Sequence, residues 1–417
     1  MELTSRELLT HLFHTALEAV DGRQLIGQWC RAHPQHFSHV IAIGKAAPAM
    51  LQGVLDNAVK FEQALLVCPQ RTAPRNLRKD RRIVVHEASH PVPDASSLQA
   101  GAALIEFIAA LPEDAQVLVL ISGGTSSLVE VLRAGITLDD LQNINRYLLA
   151  SGKDISAINA WRRCFSNIKS GGLLHYLHAA HVASCTQYLL SDVRDDDAAV
   201  IGSGLLVENN TAPESDDYLQ DYVDRLQPAA SSDTHAGATL DTHIIGNQQM
   251  ALQAVAEEVQ HMGLPCYLHK TFIDGDAVVQ GEATGRWLFE QAPIGVHLWG
   301  AETTVSLPAC PGMGGRNQSF ALSLASTLHK CMLNAQATSD DIGVLAAGTD
   351  GIDGNTSCAG AVVFASTARQ ILQSGYDIDA ELAAANAGAL LMATADLLKT
   401  GPTGTNVMDL IIAWKQG

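Results

Sequence analysis

Short, largely apolar runs recur along the chain, several of them stopped by glycine or a hydroxyl residue. Residues 40–43 run into Gly44-Lys45-Ala46-Ala47-Pro48, and Val117-Leu118-Val119-Leu120-Ile121 runs into Ser122-Gly123-Gly124-Thr125-Ser126-Ser127. Similar runs stand at 64–67, 82–86, 188–190, 243–246, 266–269, 296–299, 343–347 and 410–414. They are short and rich in β-branched residues, which suits strands buried on both faces of a parallel sheet better than helices. Between them the apolar positions recur at helical spacing. Leu8, Leu9, Leu12, Phe13, Ala16, Leu17 and Val20 mark a first helical stretch within 4–30, which Asp21-Gly22 closes. Further helices are expected over 97–110, 137–151 and 248–262, and from Ser319 onward. Strand, loop and helix alternating throughout predict three-layer α/β/α domains with mostly parallel sheets and ligands at the carboxyl ends of the strands. The stretch 208–242 is rich in Asp, Ser, Pro, Ala and Thr. It sets the expected division: an N-terminal Rossmann-like domain over 1–240 and a C-terminal α/β domain over 241–417.

Composition narrows the picture. A chain of 417 residues with 47% hydrophobic and 17% charged content can bury more than one core. A formal net charge of −18 argues against a nucleic-acid partner, which needs a basic face. Any anion site must therefore concentrate its cations locally. No apolar run long enough for a membrane helix and no basic-then-apolar leader are visible. The eight cysteines show no C-x-x-C spacing, so a reduced, cytoplasmic protein is expected.

Candidate chemistry gathers at the strand ends. The loop 122–127 carries two glycines and four hydroxyls, which could bring backbone N–H groups close to an anion; Arg162 and Lys169 follow it. A tight strand-to-helix turn with ordinary surface cations is the alternative. Lys45, just after a buried strand, could neutralise a transferring phosphoryl group, or could be a surface lysine. Arg316 lies in Gly312-Met313-Gly314-Gly315-Arg316-Asn317-Gln318, where its planar fork and a following helix N-terminus would suit a carboxylate or phosphate. Asp192, Asp195, Asp196, Asp197, Glu302, Asp350 and Asp353 also sit at strand ends, where magnesium bound to phosphate would give them a purpose. A solvated acidic turn is the alternative for 195–197. His86-Glu87-Ala88-Ser89-His90 matches the zinc-protease pattern but follows a strand and precedes Pro91, so it is rejected. Neither a Walker A loop nor a G-x-G-x-x-G fingerprint is present.

Taken together, these segments resemble the glycerate 2-kinases whose C-terminal part is called the MOFRL domain. The shared residues are Ile43-Gly44-Lys45-Ala46-Ala47, Ser89 to Asp94, Ile121 to Ser127, Asn159 with Arg162, and Ser166 with Ile168-Lys169-Ser170-Gly171-Gly172. They continue with Ser191-Asp192-Val193, Glu302-Thr303-Thr304-Val305, Gly314 to Gln318, Gly348 to Gly354 and Gly401 to Asn406. The MOFRL region would span about 295–410. The resemblance implies ATP- and Mg²⁺-dependent phosphorylation of D-glycerate to 2-phosphoglycerate, in a cleft between two domains. Lys45 and Arg316 would be the catalytic cations. Ser122, Gly123, Gly124, Thr125, Ser126, Arg162, Lys169, Asp350 and Asn406 would bind substrate or nucleotide, and Asp192 and Asp353 the metal. No membrane partner is implied, and a homodimer is left open.

The chain departs from the family pattern at five places. Arg194-Asp195 replaces Gly-Asp, and Leu205 stands where proline is usual. Ser319 replaces a glutamate, and Asn355-Thr356-Ser357-Cys358 replaces Pro-Thr-Asp-Ala. The segment Val129-Glu130-Val131-Leu132-Arg133 lacks the expected prolines. Two other readings stay open: an NAD(P)H-dependent hydroxypyruvate reductase, and a non-catalytic sensor of small phosphorylated acids.

Overall fold

The computed structural model describes residues 3–151, 153, 155–209, 211–227, 239–336 and 340–417. The chain divides into two units, Gly22–Ile245 in one and Met1–Asp21 with Gly246–Gly417 in the other. The polar stretch expected at 208–242 lies partly outside the described residues.

The first unit is built on strands β1 (His39–Ile43), β2 (Gln63–Pro69), β3 (Ile83–Ala88), β4 (Gln116–Ile121), β5 (Ser184–Leu190) and β6 (Thr239–Gly246), in the order β3-β2-β1-β4-β5-β6. The pairs β1–β2, β1–β4, β2–β3 and β4–β5 are parallel, as the continuous apolar runs predict. Ile41, Ile43, Val117, Val119 and Ile121 pack with Ala100, Leu104 and Ile108 of the helix Ala95–Ala109 and with Leu173 and Leu177 of Gly172–Ala179. Chain order reverses between β1 and β4, the switch point outside which ligands bind in such sheets. His86 pairs with Val67 inside β3, so the H-E-x-x-H pattern begins on a strand and ends in the loop after it.

The second unit carries β7 (Cys266–Leu268), β8 (Ile273–Asp276), β9 (Gly295–Thr304), β10 (Ile342–Gly348), β11 (Gly360–Phe364), β12 (Leu397–Leu398) and β13 (Asp409–Lys415). Its order is β12-β11-β10-β13-β9-β7, with β8 also on β9. Here the expectation of a mostly parallel sheet is corrected. The strand β13 inserts between β9 and β10 and runs antiparallel to both; β11 is antiparallel to β10 and to β12, and only β7 and β8 lie parallel to β9. An apolar run reveals burial but not direction, and nothing in 410–414 announces that the last strand closes a gap in mid-sheet.

One face of this sheet packs on the helix Arg316–Ala335, with Val344, Ala346, Ile411 and Ala413 meeting Phe320, Leu324 and Leu328. On the other face Leu9, from the helix Ser5–Ala19, fills the space over Gly343. Leu9, Leu12 and Phe13 are fully buried. Residues 1–21, expected with the N-terminal domain, are thus part of the C-terminal unit, and the chain leaves that unit at the Asp21-Gly22 break.

Candidate active site

In the first unit the site begins where β1 and β4 end. Gly44 has φ +131°, and a Cβ there would collide with the Ser122 hydroxyl, so only glycine lets the two strand ends close together. The Lys45 N–H donates to the Gly123 carbonyl (2.9 Å) and the Ala46 N–H to Ser122 Oγ (3.0 Å). Thr125 Oγ1 donates to the carbonyls of Ile43 (3.1 Å) and Ser122 (2.8 Å). Ser127 Oγ donates to Gly124, and Ser126 shares its hydroxyl proton with Ser203. Most of the hydroxyls expected to greet a ligand therefore brace the loop. Gly124 has φ +85°, and a Cβ on it would stand 3.0 Å from the His90 ring and 3.2 Å from the Lys45 side chain. The Lys45 stem and the His90 ring thus both lie against the glycine turn.

The other cations of this unit are differently placed. Lys169 is buried with Glu130: Nζ lies 2.5 Å from Oε2, with 3% and 1% of the side chains exposed, and Ser166 Oγ donates to Glu130 Oε1. The position read as a departure from the family pattern is the counter-ion of the expected anion ligand. Arg162 donates through Nε to Asn145 Oδ1 (2.8 Å), and burial lowers its pKa. The loop 166–172 is laced to 203–205 by Ser170 N–H to Ser203 O (3.0 Å) and Gly171 N–H to Gly204 O (2.7 Å). Asp192 follows the end of β5, half-buried, while Arg194, Asp195 and Asp197 are exposed.

In the second unit, Arg316 opens its helix and is held from the sheet. Nε lies 2.6 Å from Asp409 Oδ2 and Nη2 lies 3.2 Å from Oδ1; Nη1 is 3.5 Å from Glu302 Oε1. Burial opposes charge on the guanidinium, but Asp409 and Glu302 outweigh it and hold the pKa above the ordinary range. Burial raises the Asp409 pKa in spite of its partner. Asp353 takes the helix N-terminus that was expected to receive an external anion. Its oxygens accept from Asn317 N (3.1 Å), Asn317 Nδ2 (3.4 Å) and Gln318 N (2.8 Å). It is 2% exposed, and burial pushes its pKa up to about 7 against those hydrogen bonds.

The loops around the bracket are tied to one another. Asp350 Oδ1 accepts from Ile352 N (3.0 Å), and Thr349 Oγ1 joins Met408 O and Val407 N, both at 2.7 Å. Asn406 is buried in that second loop. Asn355, another departure, accepts from Gly314 N and donates to Gly312 O, both at 2.9 Å, and so fixes the glycine turn before Arg316. Ser319 is buried inside the helix, where a glutamate would lack water, and Ser357 is exposed. Among the described residues no group of three or more His, Cys, Asp or Glu side chains is placed to hold a metal ion.

Sequence reasoning missed Asp409, Glu130 and Gln248. Gln248 donates from Nε2 to the Asp409 carbonyl (2.7 Å). The signals were modest: one acid heading an apolar strand, and one acid among apolar residues at 129–132. A buried acid demands a partner, and each has a cation.

Comparison with known proteins covers both units. The family model described as "Domain of unknown function (DUF4147)" matches residues 8–232, and the one described as "MOFRL family" matches 295–409. The chain is 36% identical over 347 residues to an Agrobacterium vitis protein named "Putative hydroxypyruvate reductase", covering 79% of this chain and 87% of that one. It is 30% identical over 398 residues to a protein of Pyrococcus horikoshii named "Glycerate 2-kinase", covering 90% and 86%. The crystal structure of a glycerate kinase from Thermotoga maritima superposes with a TM-score of 0.80 at 27% identity, over 98% of this chain and 99% of that one.

Proposed function

We infer that this chain, which belongs to the family of glycerate 2-kinases with a MOFRL C-terminal domain, is an ATP-dependent kinase that converts D-glycerate to 2-phosphoglycerate. The observation that carries the reading is the near-full-length match to proteins bearing that name, onto which Lys45 at the β1/β4 switch point fits as a phosphate-facing cation. Transfer of a phosphoryl group asks little covalent chemistry of a protein; positioning and charge stabilisation supply most of the acceleration. Lys45 and Arg316 are the proposed catalytic cations, each bearing charge that the transferring oxygens develop. The Gly123-Gly124 turn offers the close approach that nucleotide or substrate phosphates need, with Ser122, Thr125 and Ser126 as its frame. Asp350 and Asn406 are proposed to contact substrate or nucleotide.

Magnesium fits as a phosphate-bound ion rather than a caged one, since such ions take one or two carboxylates plus phosphate oxygens. Asp192 is the proposed carboxylate; Asp353, occupied by helix N–H donors, is read as a helix cap instead. Bound there, the ion would neutralise charge on the nucleotide phosphates. Lys169, sealed against Glu130, is read as part of the frame. No helix among the described residues is long and apolar enough to cross a membrane, and the cytoplasm, where ATP is supplied, is the proposed location.

The test is ADP release with D-glycerate, L-glycerate, tartronate or hydroxypyruvate, with Mg²⁺ or with EDTA, and enolase coupling to identify 2-phosphoglycerate. Turnover with D-glycerate that stops in EDTA is expected. The reductase reading is favoured by the name of the Agrobacterium relative. NADH consumption with hydroxypyruvate and no ATP would establish it and sink the kinase.

A further inference from the structure

We propose that Asp409 is the positioning residue that aims Arg316, fixing which edge of the guanidinium faces the reaction. The inference rests on the kinase reading for its kinetic arm. Asp409 is the first residue of β13, paired in register with Ala301 on β9 and Gly348 on β10. Its side chain shares the sheet face of Ile411 and Ala413, on which the helix Arg316–Ala335 packs. It is 3% exposed and grips Arg316 with two bonds, Nε at 2.6 Å and Nη2 at 3.2 Å. Those donors lie along one edge of the planar guanidinium, so the outer edge at Nη1 is left, where the exposed Glu302 stands at 3.5 Å. A fork gripped along one side can present one edge and no other.

The surroundings are shaped for this grip. Gly348 leaves room for the carboxylate: a Cβ there would lie 3.2 Å from Asp409 Oδ1. Behind the strand, Gln248 reaches across Gly300 to hold the Asp409 carbonyl at 2.7 Å, and a Cβ on Gly300 would overlap the Gln248 amide. Two glycines and a glutamine from three other segments thus set the backbone and side chain of one aspartate. Asp409 itself is all but sealed from solvent. Its role passes through Arg316.

Two measurements test this in the full chain. The first is a double-mutant cycle on kcat and KM with Asp409→Asn, Arg316→Ala and the pair. Asp409→Asn should lower kcat about 100-fold with Arg316 present and less than about 3-fold with alanine at 316, and Asp409→Glu should recover part of the loss. Equal losses in both backgrounds would show a general structural role and overturn the proposal. The second is the rate of phenylglyoxal labelling at Arg316, followed by peptide mass, with melting temperature as a control for folding. Labelling several-fold faster in Asp409→Asn or Asp409→Glu than in the parent is expected; an unchanged rate in folded variants would overturn it. Labelling requires no turnover. Absence of ADP release in the parent chain would sink the glycerate reading and leave this arm standing.

Discussion

The two loop systems solve the same problem in opposite ways. In the first unit strands β1 and β4 end side by side, Gly44 allows their contact, the loop is braced locally by its own backbone and hydroxyls, and Lys45 emerges from the turn. In the second unit the cation is held by side chains, Arg316 bound by Asp409 with Glu302 nearby, and the helix N-terminus is filled by Asp353. A backbone site has its geometry fixed by sheet topology and leaves its lysine as a compact, adaptable charge. A side-chain site depends on partners from distant segments and gains a directed fork in return.

The largest effect should come from Lys45→Ala. If Lys45 stabilises the charge on the transferring group, kcat should fall by about 10³-fold or more with little change in melting temperature. Stopped-time ADP assays at saturating ATP and glycerate measure it. Near-normal turnover would make the first site a binding wall only, and the comparison would collapse to one catalytic cation.

That asymmetry also governs what could be read in the sequence. The first site was legible because its parts are adjacent in the chain: an apolar run, two glycines, hydroxyls, then lysine after the neighbouring strand. The expected parallel order followed from strand–helix alternation alone. The second site was half legible. Arg316 among glycines announced itself, whereas Asp409 stands 93 residues away and matters only because β13 inserts between β9 and β10. Pairing across a mixed sheet leaves no local pattern. The Lys169 pairing was hidden for the same reason: its sequence context looked like an anion loop, and only the fold shows Glu130 against it.

Lys169→Met tests whether that burial is the whole story. An unpaired carboxylate at Glu130, 1% exposed, should cost about 3–5 kcal/mol, measured by urea unfolding. Replacing both residues, as Glu130→Leu with Lys169→Met, should recover much of it. If the pair supports the loop and does not bind a ligand, KM for ATP and glycerate should stay within about 2-fold. A folded Lys169→Met with wild-type stability and a tenfold higher KM would return the lysine to the binding set.

Arg316→Lys addresses the fork. An ammonium cannot span both Asp409 oxygens and still present an outer edge, so kcat/KM should fall about 100-fold although the charge is kept. At position 45, where a point charge suffices, Lys45→Arg should be limited by space rather than by geometry of the donors. Equal tolerance of the two exchanges would erase the distinction between the sites.

The smallest effect is a proton. Burial raises the Asp353 pKa to about 7, against an ordinary carboxylate value of 3.8, so between those values the folded chain holds a proton that the unfolded chain releases. The stability this contributes is complete below about pH 4 and is lost as pH rises through 7. Asparagine at 353 keeps one acceptor for the helix N–H groups and carries no titrating proton. The stability difference between parent and Asp353→Asn should therefore shift against the parent by about 1–2 kcal/mol from pH 5 to pH 7, read from urea midpoints at each pH. A difference that stays flat would mean that the N–H donors of Asn317 and Gln318 keep Asp353 ionised throughout. The helix N-terminus would then carry a fixed negative charge, and of the two sites neither would have a proton-linked frame.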